Sequence, residues 1–226
     1  MSTVTTIGER YRLAVDSFVD LAGTLEPSDW QAVVPCTPAW TVRDVLSHVT
    51  GVPDDAIAGR MAGAPGEAWT AAQVERHRDA GVDELLERWR QQTPVFAEML
   101  DQLGEGRPPT DCHSHEHDLR QALGRPGNRS SELVELYGLA FAEIDDLAVR
   151  FVVEFDDGRT AVSGDTDAAT TVGLHDVSTF ELFRSRLGRR SRDQVLGYDW
   201  VGDPAAVGQV IDRWFVFGPA TEPIEE

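Results

Sequence analysis

The chain has 226 residues, enough for one large domain or two small ones whose core needs no disulfide staples. Its 20 basic residues, all of them arginine, stand against 39 acidic ones for a net charge of −19, an excess that repels phosphate backbones and anionic membrane surfaces and so argues against coating either. No apolar run approaches the roughly 20 residues of a membrane span, the opening MSTVTTIGERYRLAV is not built as a signal peptide, and two cysteines, Cys36 and Cys112, are too few for a disulfide framework. The expectation is an acidic, soluble, cytoplasmic protein with neither nucleic-acid nor membrane partners, its state as monomer or homodimer left open.

Up to about residue 147 the texture is helical, with apolar residues three and four apart. A first helix is predicted from Ile7 to Leu25, striped by Tyr11, Ala14, Phe18, Leu21 and Leu25. The loop Val34-Pro35-Cys36-Thr37-Pro38-Ala39-Trp40 follows, extended by its prolines. Thr41 then opens a second helix with Asp44 as its capping-box partner; Val42, Val45, Leu46 and Val49 form its stripe, Trp40 anchors in the core beside its start, and Gly51 with Pro53 breaks or kinks it. A third helix spans Val82 to Leu103, with Pro94 as a kink. A fourth starts at Thr110 or Asp111 and stops at Gly124 and Pro126. A fifth runs from the caps Ser130 and Ser131 to Ile144. Such helices joined by moderate loops fit an antiparallel bundle.

Beyond it the chain changes character. Val149–Phe155 and Arg159–Val162 flank Asp157-Gly158, a hairpin signal. Ala169–Leu174 reads as a third strand, and helical patches follow at 178–187 and 204–217. The predicted class is α+β, a helical bundle over residues 1–147 and a small α+β domain over 148–226.

Three of the six histidines fall within five residues, at His113, His115 and His117. At about 100° per residue, Cys112, His115, Leu119, Ala122 and Leu123 share one helix face, while His113 and His117 point the other way, toward water, together with Glu116. Asp111 stands one turn before His115 and reaches the same interior point. A buried imidazole beside a buried carboxylate needs compensating charge. A divalent metal supplies it, with a third ligand from a neighbouring helix; His48, at the border of the second helix's stripe, is placed for that. Asp118 either orients a ligand or pairs with Arg120 or Arg125. Cys112 packs in the core.

The segment from Cys36 to His48, CTPAWTVRDVLSH, resembles the Pro-x-Trp-Thr-Val-x-Asp-Leu-x-x-His signature of the mycothiol-dependent maleylpyruvate isomerase family, within the wider DinB-like bundles. Asp111 to Pro126, DCHSHEHDLRQALGRP, is similar to that family's acid-x-x-x-His-x-x-Asp-x-Arg-x-Ala-Leu-Gly-x-Pro stretch, and Leu187-Gly188-Arg189-Arg190-Ser191 to its Gly-Arg-Arg-Ser element. The resemblance implies a DinB-like four-helix bundle followed by a small α/β domain, and a divalent metal, usually zinc, on His48, Asp111 and His115. It also implies mycothiol as co-substrate with an electrophilic partner. The isomerase carries glutamate where this chain has Asp111, so the resemblance carries the metal site further than it carries the isomerase activity. Three protein ligands leave a coordination position open. The expected chemistry is thiol activation in an isomerase or S-transferase; a non-catalytic binding module and a thiol-independent metallohydrolase are the alternatives. Arg184, Arg186, Arg189, Arg190 and Arg192 form a basic run, read as a solvated face or, as the alternative, as a place where Arg189 or Arg190 binds a carboxylate of the thiol or substrate. Arginine without lysine suits a GC-rich, actinobacterial coding bias.

Overall fold

The computed structural model describes residues 6–226. They divide into two compact units, one ending at Gly127 and one spanning Asn128–Glu226. Among the described residues the class is α+β: the first unit is helical and the second carries a four-stranded mixed sheet.

The first unit contains α1 (Ile7–Ala22), α2 (Val42–Ile57), α3 (Glu67–Arg76), α4 (Val82–Leu103) and α5 (Arg107–Ala122). Helix α1 packs on α4 and α5, and α2 packs on the same two, so these four close a ring. Inside it lie Tyr11, Phe18, Leu46, Leu85, Trp89, Phe96, Leu100 and Leu119, the residues that the helical spacing assigns inward. The Trp89 indole N–H donates to the Tyr11 hydroxyl at 2.8 Å, so two large aromatics bury without stranding their polar ends. Emptying such a site, as in Trp89→Ala, costs about 3–5 kcal/mol.

The ends of these helices follow local chemistry. At the start of α2, the Asp44 amide donates to Thr41 Oγ1 (3.2 Å) and the Thr41 amide to Asp44 Oδ2 (2.9 Å), the reciprocal cap expected there. Helix α2 nevertheless runs on through Gly51 and Pro53. Pro53 forfeits one backbone bond, and side chains from the last turn are tied to α3. Helix α5 begins three residues earlier than predicted, because Pro108 and Pro109 sit in its first turn, where a missing N–H costs nothing. Helix α4 keeps the predicted bounds with Pro94 inside. Helix α3 has no counterpart in the sequence reading. Among the described residues no helix is long and apolar enough to cross a membrane.

The second unit comprises α6 (Glu132–Ala140), β1 (Arg150–Phe155), β2 (Thr160–Gly164), β3 (Thr171–Val177), α7 (Thr179–Arg186), α8 (Arg192–Leu196), β4 (Asp199–Val201) and α9 (Pro204–Ile211). The strand order is β2-β1-β3-β4; β1 pairs antiparallel with β2 and parallel with β3, and β4 closes antiparallel on β3. Phe151, Val153 and Phe155 alternate inward from β1 and meet Val172, Leu174, Leu182, Val210 and Trp214. The expected Asp157-Gly158 turn joins β1 to β2. The divide falls at 127/128 rather than the expected 147/148, because α6 stops at Ala140 and packs on α7. The two are so close that a Cβ on Gly138 would lie 2.3 Å from the Thr179 carbonyl oxygen.

Candidate metal centre

Helices α2 and α5 bring His48, Asp111 and His115 together. Asp111 spans the two rings, its Oδ2 3.3 Å from His48 Nε2 and its Oδ1 3.5 Å from His115 Nε2. The ring centroids stand 5.2 Å apart at 81°. One donor atom from each of the three residues lies within 4.8 Å of the others, a spacing that suits ligands of one ion. Both imidazoles are buried, whereas the Asp111 side chain keeps 39% of its surface exposed. The group therefore opens to solvent on the aspartate side.

The far side of each ring faces a polar side chain. His48 Nδ1 lies 2.7 Å from Gln73 Oε1, and Gln73 Nε2 donates to Asp55 Oδ2 at 3.0 Å. A carboxylate only accepts, so the amide nitrogen of Gln73 faces Asp55 and its oxygen faces His48. The His48 proton is then assigned to Nδ1, leaving the lone pair on Nε2. Asp118 Oδ2 stands 3.0 Å from His115 Nδ1 and favours the same tautomer there, although the contact is off the line of the ring N–H. Two imidazole lone pairs and a carboxylate thus converge with no proton assigned between them. That donor set fits a divalent cation of the zinc type.

Helix α3 supplies the support, and it is stitched to α2 by polar groups. His77, just past its end, meets the Ser47 carbonyl (3.0 Å) and Asp54 Oδ2 (3.0 Å). Arg76 and Arg60 both reach Asp55 Oδ1 at 2.7 Å. Burial pushes the Asp55 carboxyl up, but hydrogen bonds from Arg60, Gln73 and Arg76 outweigh it and hold the group below its ordinary value. Gly51 makes room for this: a Cβ there would stand 2.7 Å from the Gln73 Cβ. Gly51 marks a close approach, where the sequence reading expected a break.

Trp40 is a further correction. It is half-buried and tilts over both rings, 5.2 Å from His48 and 6.3 Å from His115, as a cover on the site. Backbone bonds from Val34 N to Trp40 O (3.0 Å) and from Trp40 N to Thr37 O (2.8 Å) fold its loop back to deliver it. Trp69 meets His48 edge-on at 6.4 Å.

His113, Glu116 and His117 do not face water; all three are buried. A wheel drawn on one helix cannot register what packs against its second face. Burial pushes the Glu116 carboxyl up, but His113, His117 and Arg120 overcome this and hold it at about 2. Arg120 binds Glu116, Arg125 binds Asp29, and Asp118 stands beside His115. Cys112 is buried, and burial followed by the charges of Asp111 and Glu116 pushes its thiol well up, as suits a packing residue.

The basic run is mostly internal, contrary to the expectation of a solvated face. Arg184 is fully buried on Glu226, with Nη2 2.5 Å from Oε1. Arg190 is clamped between Glu181 (2.7 Å) and Glu226 (2.9 Å), while Arg189 Nη1 donates to the Leu187 carbonyl at 2.7 Å. Arg186 Nη1 donates to the Arg213 carbonyl at 2.9 Å. Within the second unit, Arg190 already has the carboxylates that the sequence reading sought in a ligand.

Fold and site together define a helical-bundle protein presenting two imidazoles and a carboxylate to one point. The family model described as the mycothiol maleylpyruvate isomerase N-terminal domain matches residues 11–126, half of the chain and all of the site, and the chain belongs to that family. Neither a curated protein nor a solved structure matches it.

Proposed function

We infer that the chain activates a low-molecular-weight thiol, mycothiol or a close relative, at the His48, Asp111 and His115 group and adds it to an electrophilic carbon. The carrying observation is the convergence of three lone-pair donors beside an opening to solvent. His48 and His115 would hold a divalent cation through Nε2 and Asp111 through a carboxylate oxygen. Such a cation supplies Lewis acidity, shifting a thiol of ordinary pKa about 8.5 toward thiolate near neutral pH.

The protein's own groups set the stage. Gln73 holds the His48 ring with Nε2 toward Asp111, Asp118 lies beside His115 Nδ1, and Trp40 covers one side of the pair. The half-open Asp111 marks the approach for the incoming sulfur. Cys112 is buried among core residues, its thiol pushed up by that burial and by the charges of Asp111 and Glu116, and the thiol in this reading is a co-substrate that arrives from solvent. Its proton leaves to solvent and a carbon–sulfur bond forms. The displaced electron pair then either returns to expel sulfur, giving an isomerase, or takes a proton with sulfur retained, giving an S-transferase.

The test incubates zinc-loaded protein with a panel of electrophiles, with and without mycothiol. Turnover that requires thiol and disappears in His48→Ala is expected. Turnover without thiol would favour a metallohydrolase, and zinc binding with no turnover and no thiol binding a binding module.

A further inference from the structure

Helix α5 carries a second set of donors that shares no residue with the first. His113, Glu116 and His117 each place one donor atom within 4.8 Å of the other two. The rings of His113 and His117 stand 5.0 Å apart at 79°, and Glu116 Oε2 lies 3.0 Å from His113 Nδ1. Positions i, i+3 and i+4 occupy one face of a helix, so a single rigid turn sets this convergence without help from a neighbouring element. Arg120 Nε donates to Glu116 Oε1 at 2.7 Å, pinning the carboxylate with its other oxygen turned toward His113. That is how supporting groups hold a ligand at a metal.

We propose that His113, Glu116 and His117 form a second divalent-cation site, structural in character. Two imidazoles and one carboxylate match the zinc class, whereas calcium and magnesium take all-oxygen sets. Donors about 2.0–2.1 Å from a zinc ion stand about 3.4 Å from one another, so side-chain adjustments of an ångström or so close the group. Its surroundings separate it from the first site. Asp111 leaves one group open to solvent, while all three residues here are buried, so an ion among them holds the helix and meets no substrate. The chain's net charge of −19 favours cation uptake at both places.

The experiment measures zinc stoichiometry on the full chain, by elemental analysis after dialysis against a weak chelator, in wild type, His48→Ala and His117→Gln. The expected result is two equivalents in wild type and one in each variant, with circular dichroism showing all three folded. Zinc should also raise the thermal midpoint of His48→Ala by several degrees and leave that of the His48→Ala/His117→Gln double variant unchanged. A folded His48→Ala protein that holds no zinc, or a His117→Gln protein that still holds two equivalents, overturns the second site. Should His117→Gln fail to fold, His48→Ala alone decides by retaining or losing its equivalent. A single equivalent that survives His48→Ala and vanishes in His117→Gln would uphold this site while overturning the first.

Discussion

In the second unit, the buried guanidiniums of Arg184 and Arg190 lie against the carboxylates of Glu226 and Glu181. In the first, His48 and His115 aim Nε2 at a third acceptor, Asp111. Both arrangements bury polar groups, at a desolvation cost that something must offset. Arg184 and Arg190 each meet an anion within the unit, which offsets that cost for the two of them. Around Asp111 the Nε2 atoms of two imidazoles face a carboxylate, an arrangement whose burial a bound divalent cation, as proposed above, would offset. The sign of the charges facing each other therefore separates the Arg184 and Arg190 pairs from the His48, Asp111 and His115 group, where burial alone does not. Arg190 and His48 are both buried and both belong to motifs that resemble family elements, yet they fall on opposite sides of that line.

The comparison breaks most visibly at His48. His48→Ala should weaken zinc at that group by more than about 100-fold, the scale reached when residues that merely support a ligand are altered, and the drop in stoichiometry from wild type reads it. Arg190→Met should act in the opposite way. Removing one partner of a buried pair costs about 3–5 kcal/mol, and the lower end is expected because Glu181 is partly exposed. Urea unfolding should record that loss while zinc stoichiometry stays unchanged. Unaltered stability with impaired thiol or substrate binding would instead return Arg190 to the ligand-binding role that its motif suggested.

Much of this was legible in the sequence where a residue's role is set on its own helix or by a short motif. The stripe through Tyr11, Phe18 and Leu21, the Thr41–Asp44 cap, the full span of α4, and the inward sides of His115 and Cys112 are all local properties of period and chemistry. What escaped depends on a second element. Helix α3 carries little apolar periodicity, since it is held by Gln73, Arg76 and the adjacent His77 through polar contacts to α2, and hydrophobic pattern does not register such a helix. The signal available was a glutamine and a histidine four residues apart, at Gln73 and His77. Gly51 read as a helix breaker because no sequence shows that Gln73 needs the space of its missing Cβ. From the sequence Trp40 reads as a core anchor beside the start of α2, and the helical wheel turns His113 and His117 to solvent. Each assignment fails where tertiary packing decides.

Gln73 offers a finer test of the acceptor-facing-acceptor argument. Gln73→Leu removes the acceptor that holds the His48 proton on Nδ1, and the ring can then place its proton on Nε2, toward Asp111. Zinc affinity at that group should fall about 10- to 100-fold, or about 1.4–2.7 kcal/mol. Nitrogen-15 shifts of the His48 ring in metal-free protein should report the change of tautomer directly. An unchanged tautomer with lower affinity would mean that Gln73 only packs.

The smallest effect lies one bond further out, at Asp55, and its sign follows from charge. The folded carboxyl titrates below its ordinary value of 3.8 because Arg60, Gln73 and Arg76 bind its ionised form. Its contribution is therefore complete above about pH 4, where the unfolded chain is ionised too, and is lost as pH falls through the lower folded value. Asp55→Asn should cost about 1.5–2 kcal/mol at pH 7, the low end for hydrogen bonds to charged groups, and the gap to wild type should close below pH 4. Urea midpoints of the two proteins across that range measure it. A gap that stays constant down to pH 3 would show that the Asp55 charge does not anchor α3. The orientation of Gln73, and with it the proton assignment at His48, would then have to rest on packing around Gly51 alone.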